Sequence, residues 1–465
     1  MGSRSEIMDE RPILVAGATG YVGGRLVPLL LSSGYSVRVM GRNPAKLSCR
    51  PWASHPRVEA VRADVMDGKS MVEATRGCRA AFYLVHSMNS AVRDFAEADR
   101  KAAGNMARAC EFSGIERIVY LGGLGKDDPS LSEHLRSRFE VARILQSGSV
   151  PTTFLRAAVI LGSGSASFEM LRYLVERLPV MTTPHWVRTP CQPIAIRNVL
   201  HYLKGCLEHE ETLGRTFDIG GPDILSYERL MEIYAEEARL PRRLILPVPL
   251  LTPRLSSYWV HLVTPVPSSI ARPLIEGLRN PVVCQENRIR DIIPQELPSS
   301  RTAIRLALER VRQDRVETCW SDAGFLSEPE WLQCGDAPYA GGTVLECGYR
   351  MVVQASCEEV WKPIQEIGGR RGWFFADKLW ALRGALDRLI GGVGLRRGRR
   401  HPTRIAPGDA LDFWRVLDVD APHRLRLLAE MKLPGEAILE FRLHRVDDQT
   451  TELQQLTRFL PRGLA

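Results

Sequence analysis

The strongest constraint on the fold is a glycine-spaced turn near the start of the sequence. Residues 13–16 are a short apolar run of strand type, and a helical apolar pattern follows over residues 25–31. Glycines at three-residue spacing between a strand and a helix predict a tight turn, whose neighbouring helix N-terminus binds an anion. An ordinary strand-to-helix turn is the alternative. The turn therefore predicts a dinucleotide site made by Gly17, Thr19, Gly20, Tyr21, Val22 and Gly23.

The residue after the second predicted strand indicates whether the dinucleotide is NAD or NADP. Residues 36–40 read as this strand, and Arg42 follows it with no acidic residue nearby. An acidic residue in this place binds the ribose 2′-hydroxyl of NAD, whereas an arginine suits the 2′-phosphate of NADP. The position predicts NADP rather than NAD, with an exposed, solvated arginine as the alternative.

Alternating strand and helix patterns continue after this point. They predict an α/β Rossmann fold with a doubly wound parallel sheet. Strand ends beside the glycine turn face the ligand in such a sheet, which places Val85 and His86 at the nicotinamide side. A hydrogen-bonded loop histidine is the alternative for His86. Further strands are expected at residues 58–61, 81–85, 115–121 and 151–162, and helices at 95–112 and 168–178.

The sequence GATGYVG at residues 17–23 resembles the turn of extended and atypical short-chain dehydrogenases/reductases. The resemblance covers residues 12–310 and is closest to NmrA-like members, with LVHSM, HLRSR and GSGSASFE segments similar to bacterial YbjT-like proteins. It implies that Asp64 and Val65 lie at the adenine, with a loop cap as the alternative for Asp64, and that Gly122 lies in the cofactor site. It also implies a small substrate lobe, mainly residues 163–200 and 223–310, with residues 162–165 near the nicotinamide or substrate.

Catalysis in that family depends on a serine at the end of the fifth strand and a Tyr-x-x-x-Lys pair on the next helix. This chain has Gly122 and Gly123 at the strand end, and His134 and Arg138 at the pair's spacing. A histidine can relay a proton near neutral pH, whereas an arginine can only hold a phosphate or ribose. Either His134 is the proton donor of an unorthodox reductase, with Arg138 and His86 as further candidates, or the cofactor binds without turnover. An exposed polar helix face is the third reading.

Cysteine usage and charge set the expected compartment. The ten cysteines form no CxxC pair, which predicts reduced thiols and no metal site. Residues 1–11 have no apolar segment of secretory type, and prolines interrupt the apolar stretch at 244–278, so no spanning helix is expected. We therefore expect a cytoplasmic protein. The net charge of +8 leaves peripheral attachment to the inner membrane surface or to anionic lipid open, and no motif suggests nucleic acid.

A proline-, glycine- and acid-rich segment at 324–342 predicts a boundary between domains at 11–323 and 343–465. The second domain begins with a predicted strand at 349–355, and Ser356 with Glu359 forms the capping box of a helix. A second amphipathic helix follows from Phe375, Leu379, Leu382, Leu386 and Leu389, and three alternating stretches end the chain at 424–431, 437–443 and 453–459.

This order of elements resembles the START-like, polyketide-cyclase-type helix-grip fold, an α+β domain with a curved antiparallel sheet around an apolar cavity. We expect its final helix to be missing from this chain. We expect four tryptophans of this domain either to pack in its core or to line the cavity. We expect five arginines of a basic loop either to be solvated or to contact phosphate groups. These residues are Trp361, Trp373, Trp380 and Trp414, and Arg396, Arg397, Arg399, Arg400 and Arg404.

The sequence as a whole predicts an NADP(H)-binding oxidoreductase for an apolar carbonyl, quinone or isoprenoid-type substrate, which the second domain captures. Two alternatives stay open. One is a non-catalytic NADPH-binding protein, either a redox sensor or an assembly or scaffold factor. The other is a lipid-binding protein whose first domain is structural.

Overall fold

The computed structural model divides the chain into two compact units, Met1–Ala323 and Gly324–Ala465, each with its own hydrophobic core. His86 and Phe375 lie outside the residues that the structure describes. Those residues are 10–42, 47–48, 50–85, 95–125, 132–247, 272, 275–277, 280–312, 345–369, 371–373, 377–389, 392–394, 399, 401, 403–431 and 435–461.

The first unit is built on a seven-stranded parallel sheet, which confirms the predicted doubly wound architecture. The strand order is β11-β6-β5-β4-β1-β2-β3, so the order reverses beside β1 and opens a crevice at the carboxyl ends of β1 and β4. The strands are β1 (Ile13–Ala16), β2 (Val37–Gly41), β3 (Val58–Arg62), β4 (Ala80–Tyr83), β5 (Arg117–Gly123), β6 (Thr152–Ala157) and β11 (Thr216–Ile219).

Helices cover both faces of this sheet because successive residues of each buried strand point to opposite sides. In β1, Ile13 and Val15 join one core with Leu26, whereas Leu14 and Ala16 join the other with Met106 and Leu145. The helices are α1 (Gly23–Ser32), α2 (Gly68–Thr75), α3 (Phe95–Phe112), α4 (Glu133–Gln146) and, beyond β6, α6 (Ile196–Glu208).

Smaller elements form a lobe with a third core around Phe168, Leu230 and Ile304. The predicted strand at 151–162 is broken here, since β6 ends at Ala157 and β7 resumes at Ile160 to pair with β10. The lobe contains β7 (Ile160–Leu161), α5 (Ala166–Arg177), β8 (Val180–Thr183), β9 (Pro190–Cys191), β10 (Ile194–Ala195), β12 (Leu225–Ser226), α7 (Tyr227–Glu237), β13 (Leu244–Pro247), α8 (Ile289–Ile292) and α9 (Ser300–Arg312).

The second unit is a six-stranded antiparallel sheet with two helices between its first and second strands. The strand order β14-β19-β18-β17-β16-β15 places the first strand beside the last. The capping box of Ser356 and Glu359 is confirmed at the start of its first helix. The elements are β14 (Leu345–Val353), α10 (Cys357–Gln365), α11 (Asp377–Leu389), β15 (Ala410–Leu411), β16 (Trp414–Asp420), β17 (Arg424–Ala429), β18 (Gly435–Asp447) and β19 (Thr450–Pro461).

Helix α11 confirms the predicted helix, but its leucines do not enter the core. Leu379, Leu382 and Leu386 are 66%, 58% and 49% exposed. The helix instead turns Gly384 and the fully buried Asp387 inward. No helix among the described residues is long and apolar enough to cross a membrane.

Candidate functional site

The glycine turn after β1 is closed so tightly that two of its glycines have no room for a side chain. Gly17 has a φ of +98°, and a Cβ there would lie 2.6 Å from the Leu84 carbonyl oxygen. A Cβ at Gly23 would overlap the carbonyl oxygen of Gly17. The Gly20 N–H donates to that same oxygen at 2.9 Å. Strand, turn and helix therefore approach one another closely, as a dinucleotide turn requires.

The start of α1 suits an anion. None of the described side chains caps its N-terminus, and its first turn contains no acidic residue. Backbone N–H groups and the positive end of the helix dipole are what a phosphate binds. At this start the N–H groups of Gly24 and Arg25 already donate to the carbonyl oxygens of Gly20 and Val22, so the helix dipole is the main attraction for the anion. The turn and helix start therefore fit the pyrophosphate of a dinucleotide.

Two arginines lie on the β2 side of the turn. Arg42 follows β2 directly and is exposed. Arg50 is buried, and its Nη2 donates to the Thr19 carbonyl oxygen at 2.8 Å. Nearby, the Trp52 ring N–H donates to the Gly24 carbonyl oxygen at 3.3 Å. Arg50 could not be identified from the sequence, because no local pattern indicates a contact with a turn 31 residues earlier.

The segment after β3 forms a local turn around Asp64. The Met66 N–H donates to Asp64 Oδ1 at 3.0 Å, and the Asp64 N–H donates to the Ser70 hydroxyl at 3.1 Å. The carbonyl oxygen of Val65 accepts from Asn105 on α3 at 2.9 Å. The loop-cap role of Asp64 is therefore observed, while contacts of Asp64 and Val65 with adenine stay a prediction. Val85, half-buried, follows β4 at the crevice.

The end of β5 has no space for the serine that the family places there. Gly122 and Gly123 are the last residues of the strand. A Cβ at Gly122 would lie 2.7 Å from the Phe154 ring, and one at Gly123 would overlap Leu135. Neighbouring side chains thus occupy the volume of a strand-end side chain.

Arg138 is part of the packing between α3 and α4. It is buried, its Nη1 lies 3.5 Å from Oδ2 of the buried Asp99, and the Ser137 hydroxyl donates to the same oxygen at 3.0 Å. The Tyr120 hydroxyl donates to the Arg138 carbonyl oxygen at 3.4 Å. A guanidinium held in this way serves the helix contact, which argues against its predicted role at a phosphate or ribose.

His134 lies one turn earlier on the same helix. Burial, and secondly the positive charge of Arg138, lower the pKa of His134 to about 3. The ring is therefore a neutral imidazole at pH 7. Because a proton donor works best with a pKa near the working pH, this environment argues against imidazolium as the donor.

The glycine turn also meets the segment that begins the lobe. Arg25, buried on α1, donates through Nη2 to the Ser163 carbonyl oxygen at 2.8 Å. Its guanidinium carbon lies 4.5 Å from the centre of the Tyr21 ring. A Cβ at Gly162 would overlap the Tyr21 hydroxyl and lie 2.6 Å from Ile196. Tyr21 and Arg25 thus form one continuous, largely buried contact with residues 162–163 beside the turn.

The second unit contains an aromatic cluster. Trp373 stacks on Phe413 with ring centres 5.8 Å apart, and Trp380 and Trp414 lie 5.3 and 5.5 Å from the same ring. Trp361 is buried in the core with them. Core packing is therefore observed for the four predicted tryptophans.

The basic loop is described only in part. Arg399 donates to the carbonyl oxygens of Gln365 and Ile367 at 2.6 and 2.5 Å, so it fixes the end of α10 instead of reaching for a phosphate. Arg404 is exposed. Arg396, Arg397 and Arg400 lie outside the described residues. No group of three or more potential metal ligands occurs in the described part of the chain.

Comparison with known families agrees with this site. Residues 17–162 match a family model described as NAD(P)H-binding, and residues 339–465 match one described as a protein of unknown function, DUF2867. The description of the second family names no fold, ligand or activity, so the START-like fold stays a prediction.

Individual relatives extend the likeness beyond residue 162. The chain is 23% identical over 299 residues to a mitochondrial NADH dehydrogenase [ubiquinone] 1 alpha subcomplex subunit 9 of Arabidopsis thaliana, covering 61% of this chain and 74% of that protein. It is 32% identical over 127 residues to a dihydroflavonol 4-reductase of Hordeum vulgare, covering 25% of this chain and 36% of that one.

Among solved structures, the Citrobacter sp. triphenylmethane reductase complexed with NADP(H) superposes with a TM-score of 0.51 at 18% identity. The match covers 63% of this chain and 99% of that one. The first unit therefore has a Rossmann fold, and its residues 17–162 are similar to NAD(P)H-binding proteins.

Proposed function

We propose that the protein is an NADP(H)-dependent oxidoreductase that acts on an apolar carbonyl, quinone or isoprenoid-type substrate. The observation that carries the proposal is the buried contact of Tyr21 and Arg25 with residues 162–163 beside the glycine turn. It joins the dinucleotide turn to the first segment of the lobe, where the superfamily places its substrate. NADPH, when bound, supplies the hydride.

Residues of the first unit would hold the cofactor. The N-terminus of α1 would bind the pyrophosphate, and Arg42 would bind the 2′-phosphate from the end of β2. Arg50 would act indirectly, because its bond to the Thr19 carbonyl oxygen fixes the turn. Val85, which follows β4, and Gly122, next to the last residue of β5, would lie on the nicotinamide side.

An apolar substrate is supported by the kinds of reductase that the chain resembles. One relative is named as a reductase of dihydroflavonol, and one structural neighbour as a reductase of triphenylmethane dyes. Both names refer to carbon-rich aromatic molecules. The superfamily's proton-donating tyrosine is replaced by His134, whose neutral ring can accept a hydrogen bond from a substrate hydroxyl or from water.

A second candidate is NADPH binding without turnover. The packing of Phe154 against Gly122 and the burial of Arg138 against Asp99 favour it, since neither position can perform the family's catalytic role. A relative named as a subunit of an NADH dehydrogenase is similar over 61% of this chain. The protein would then be either a redox sensor that responds to the NADPH concentration or an assembly or scaffold factor.

The cofactor preference can be tested by titrating the full chain with NADPH and with NADH, following cofactor fluorescence. Arg42→Ala should weaken NADPH binding about tenfold, or about 1.4 kcal/mol, and leave NADH binding nearly unchanged. Arg215→Ala, an exposed arginine at the far edge of the sheet, is the matched control. Equal effects of Arg42→Ala on both cofactors would refute its role at the 2′-phosphate.

Turnover is a separate question. Oxidation of NADPH with a panel of quinones and enones, lost in a Gly20→Asp variant, would establish the reductase. If NADPH binds in the micromolar range and no member of the panel is reduced, the second candidate replaces the first.

A further inference from the structure

Helix α11 presents an apolar face to solvent. Leu379, Leu382 and Leu386 recur at i, i+3 and i+7, lie on one side of the helix and are each about half exposed or more. We name these three side chains the leucine face. Exposed apolar residues on an ordinary protein surface are scattered singly. Three leucines side by side on one helix form a contiguous apolar patch, and contiguous patches mark interaction sites.

The orientation of α11 is fixed by contacts on its other side. The Gly394 N–H donates to the buried Asp387 carboxylate at 2.8 Å, and the Gly392 N–H donates to the Asp387 carbonyl oxygen at 2.7 Å. Trp380 on the same side packs on Phe413. Rotation of α11 to bury the leucine face would break these contacts. The outward position of the leucines is therefore the stable one.

The sequence around the leucine face is strongly basic. Residues 370–404 contain ten Lys and Arg and two Asp, a net charge of +8, which equals the net charge of the whole chain. Lys378 and Arg404 are exposed, whereas Arg399 is bound to the carbonyl oxygens of Gln365 and Ile367 and Arg371 is paired with Glu366. The positive charge of the protein is thus concentrated in the segment that contains the leucine face.

We propose that the leucine face docks on an anionic lipid surface. An apolar helix face flanked by basic residues is the arrangement of helices that lie in a membrane interface, with leucines at the acyl boundary and cations at the head groups. A second copy of the chain fits less well, because two such faces would bring two +8 segments together. The proposal is independent of whether the first unit turns over its cofactor.

Vesicle flotation of the full chain tests the proposal. We expect binding to phosphatidylcholine vesicles containing about one-third phosphatidylglycerol, at least tenfold weaker binding to phosphatidylcholine alone, and release as salt is raised. The triple variant Leu379→Ser/Leu382→Ser/Leu386→Ser should lose at least nine-tenths of the bound fraction.

The matched control is Leu345→Ser/Tyr349→Ser/Met351→Ser, which removes three exposed apolar side chains from β14 in the same unit. It should bind vesicles like the unchanged chain. Hydrogen exchange on peptides from β16 and β18 checks that the second unit of each variant is folded.

Three results would overturn the proposal. The first is no binding to anionic vesicles, and the second is binding that the leucine variant leaves unchanged. The third is a dimer in light scattering that the leucine variant dissociates, because the leucine face would then belong to a second copy.

Discussion

Replacement of Gly17 by alanine gives the sharpest test of the glycine turn. Two costs add at this position. The φ of +98° is unfavourable for any residue with a Cβ, by about 1–2 kcal/mol. The new Cβ would also lie 2.6 Å from the Leu84 carbonyl oxygen and 2.8 Å from its carbon, both backbone atoms that cannot rotate away. Overpacking of this kind costs about 1–3 kcal/mol.

A matched control separates the two costs. Gly77 also has a positive φ, +72°, but nothing lies within 4 Å of a Cβ placed there. Gly77→Ala should therefore show only the backbone cost, reduced by about 0.5–1 kcal/mol because alanine restricts the unfolded chain. We expect Gly17→Ala to destabilise the first unit by about 2–4 kcal/mol and Gly77→Ala by about 1 kcal/mol or less.

The assay must report on the first unit alone, since a two-unit chain need not unfold in one step. Hydrogen exchange at increasing urea, followed by mass spectrometry on peptides from β1 and β4, gives this local free energy of opening. NADPH titration of the same variants shows whether the turn still binds. If Gly17→Ala costs no more than Gly77→Ala, the reasoning from the Leu84 contact is refuted.

Three further predictions concern α4 and the end of β5. Asp99→Ala leaves the Arg138 guanidinium buried without its carboxylate and should lower the free energy of opening of the first unit, measured by the same hydrogen exchange, by about 3 kcal/mol, whereas an unchanged value would contradict the buried pair. The pKa of His134 is lower in the folded than in the unfolded state, so the unfolded state binds a proton first as the pH drops. The free energy of unfolding therefore falls between pH 7 and pH 3. His134→Gln should lose less of this free energy between pH 7 and pH 5 than the unchanged chain. Gly122→Ser should lower stability by about 1–3 kcal/mol without raising NADPH oxidation, because its Cβ meets the Phe154 ring, and gained turnover would contradict this.

Much of the first unit could be predicted from the sequence because its signals are local. The apolar run at 13–16 and the glycine spacing specify a strand, turn and helix within about twenty residues. Helix α3 has the predicted bounds, 95–112, because its apolar residues keep helical spacing throughout. The pairing β1 with β4 follows from the topology of doubly wound sheets.

The parts that could not be predicted depend on distant contacts. Arg50 reaches the Thr19 carbonyl oxygen across 31 residues, and no pattern near Arg50 indicates it. The environment that lowers the pKa of His134 requires the packing of the helix to be known, whereas the sequence offers only the i,i+4 spacing. The break between Ala157 and Ile160 arises because β7 pairs with β10 in the lobe and not with the main sheet.

Helix α11 shows the limit of periodicity as a guide to burial. Its leucines repeat as they would on a core-facing helix, yet the side of the helix that faces the core contains Trp380 and the buried Asp387. The spacing of leucines predicts that a helix has an apolar face. Whether that face points to the core or to solvent depends on the contacts that residues on the other side of the helix make. Strands β15 and β16 were missed for a similar reason, since their burial pattern is not alternating.

The filled space at the end of β5 constrains how this chain can change over evolutionary time. Phe154 and Leu135, both nearly fully buried, occupy the positions that side chains at 122 and 123 would need. A single substitution to serine would meet an occupied volume, and a prior truncation of either neighbour would open a cavity in the core. Whichever substitution comes first, the single-substitution protein is less stable than the present one. A serine at position 122 or 123 therefore requires a coordinated change in Phe154 or Leu135.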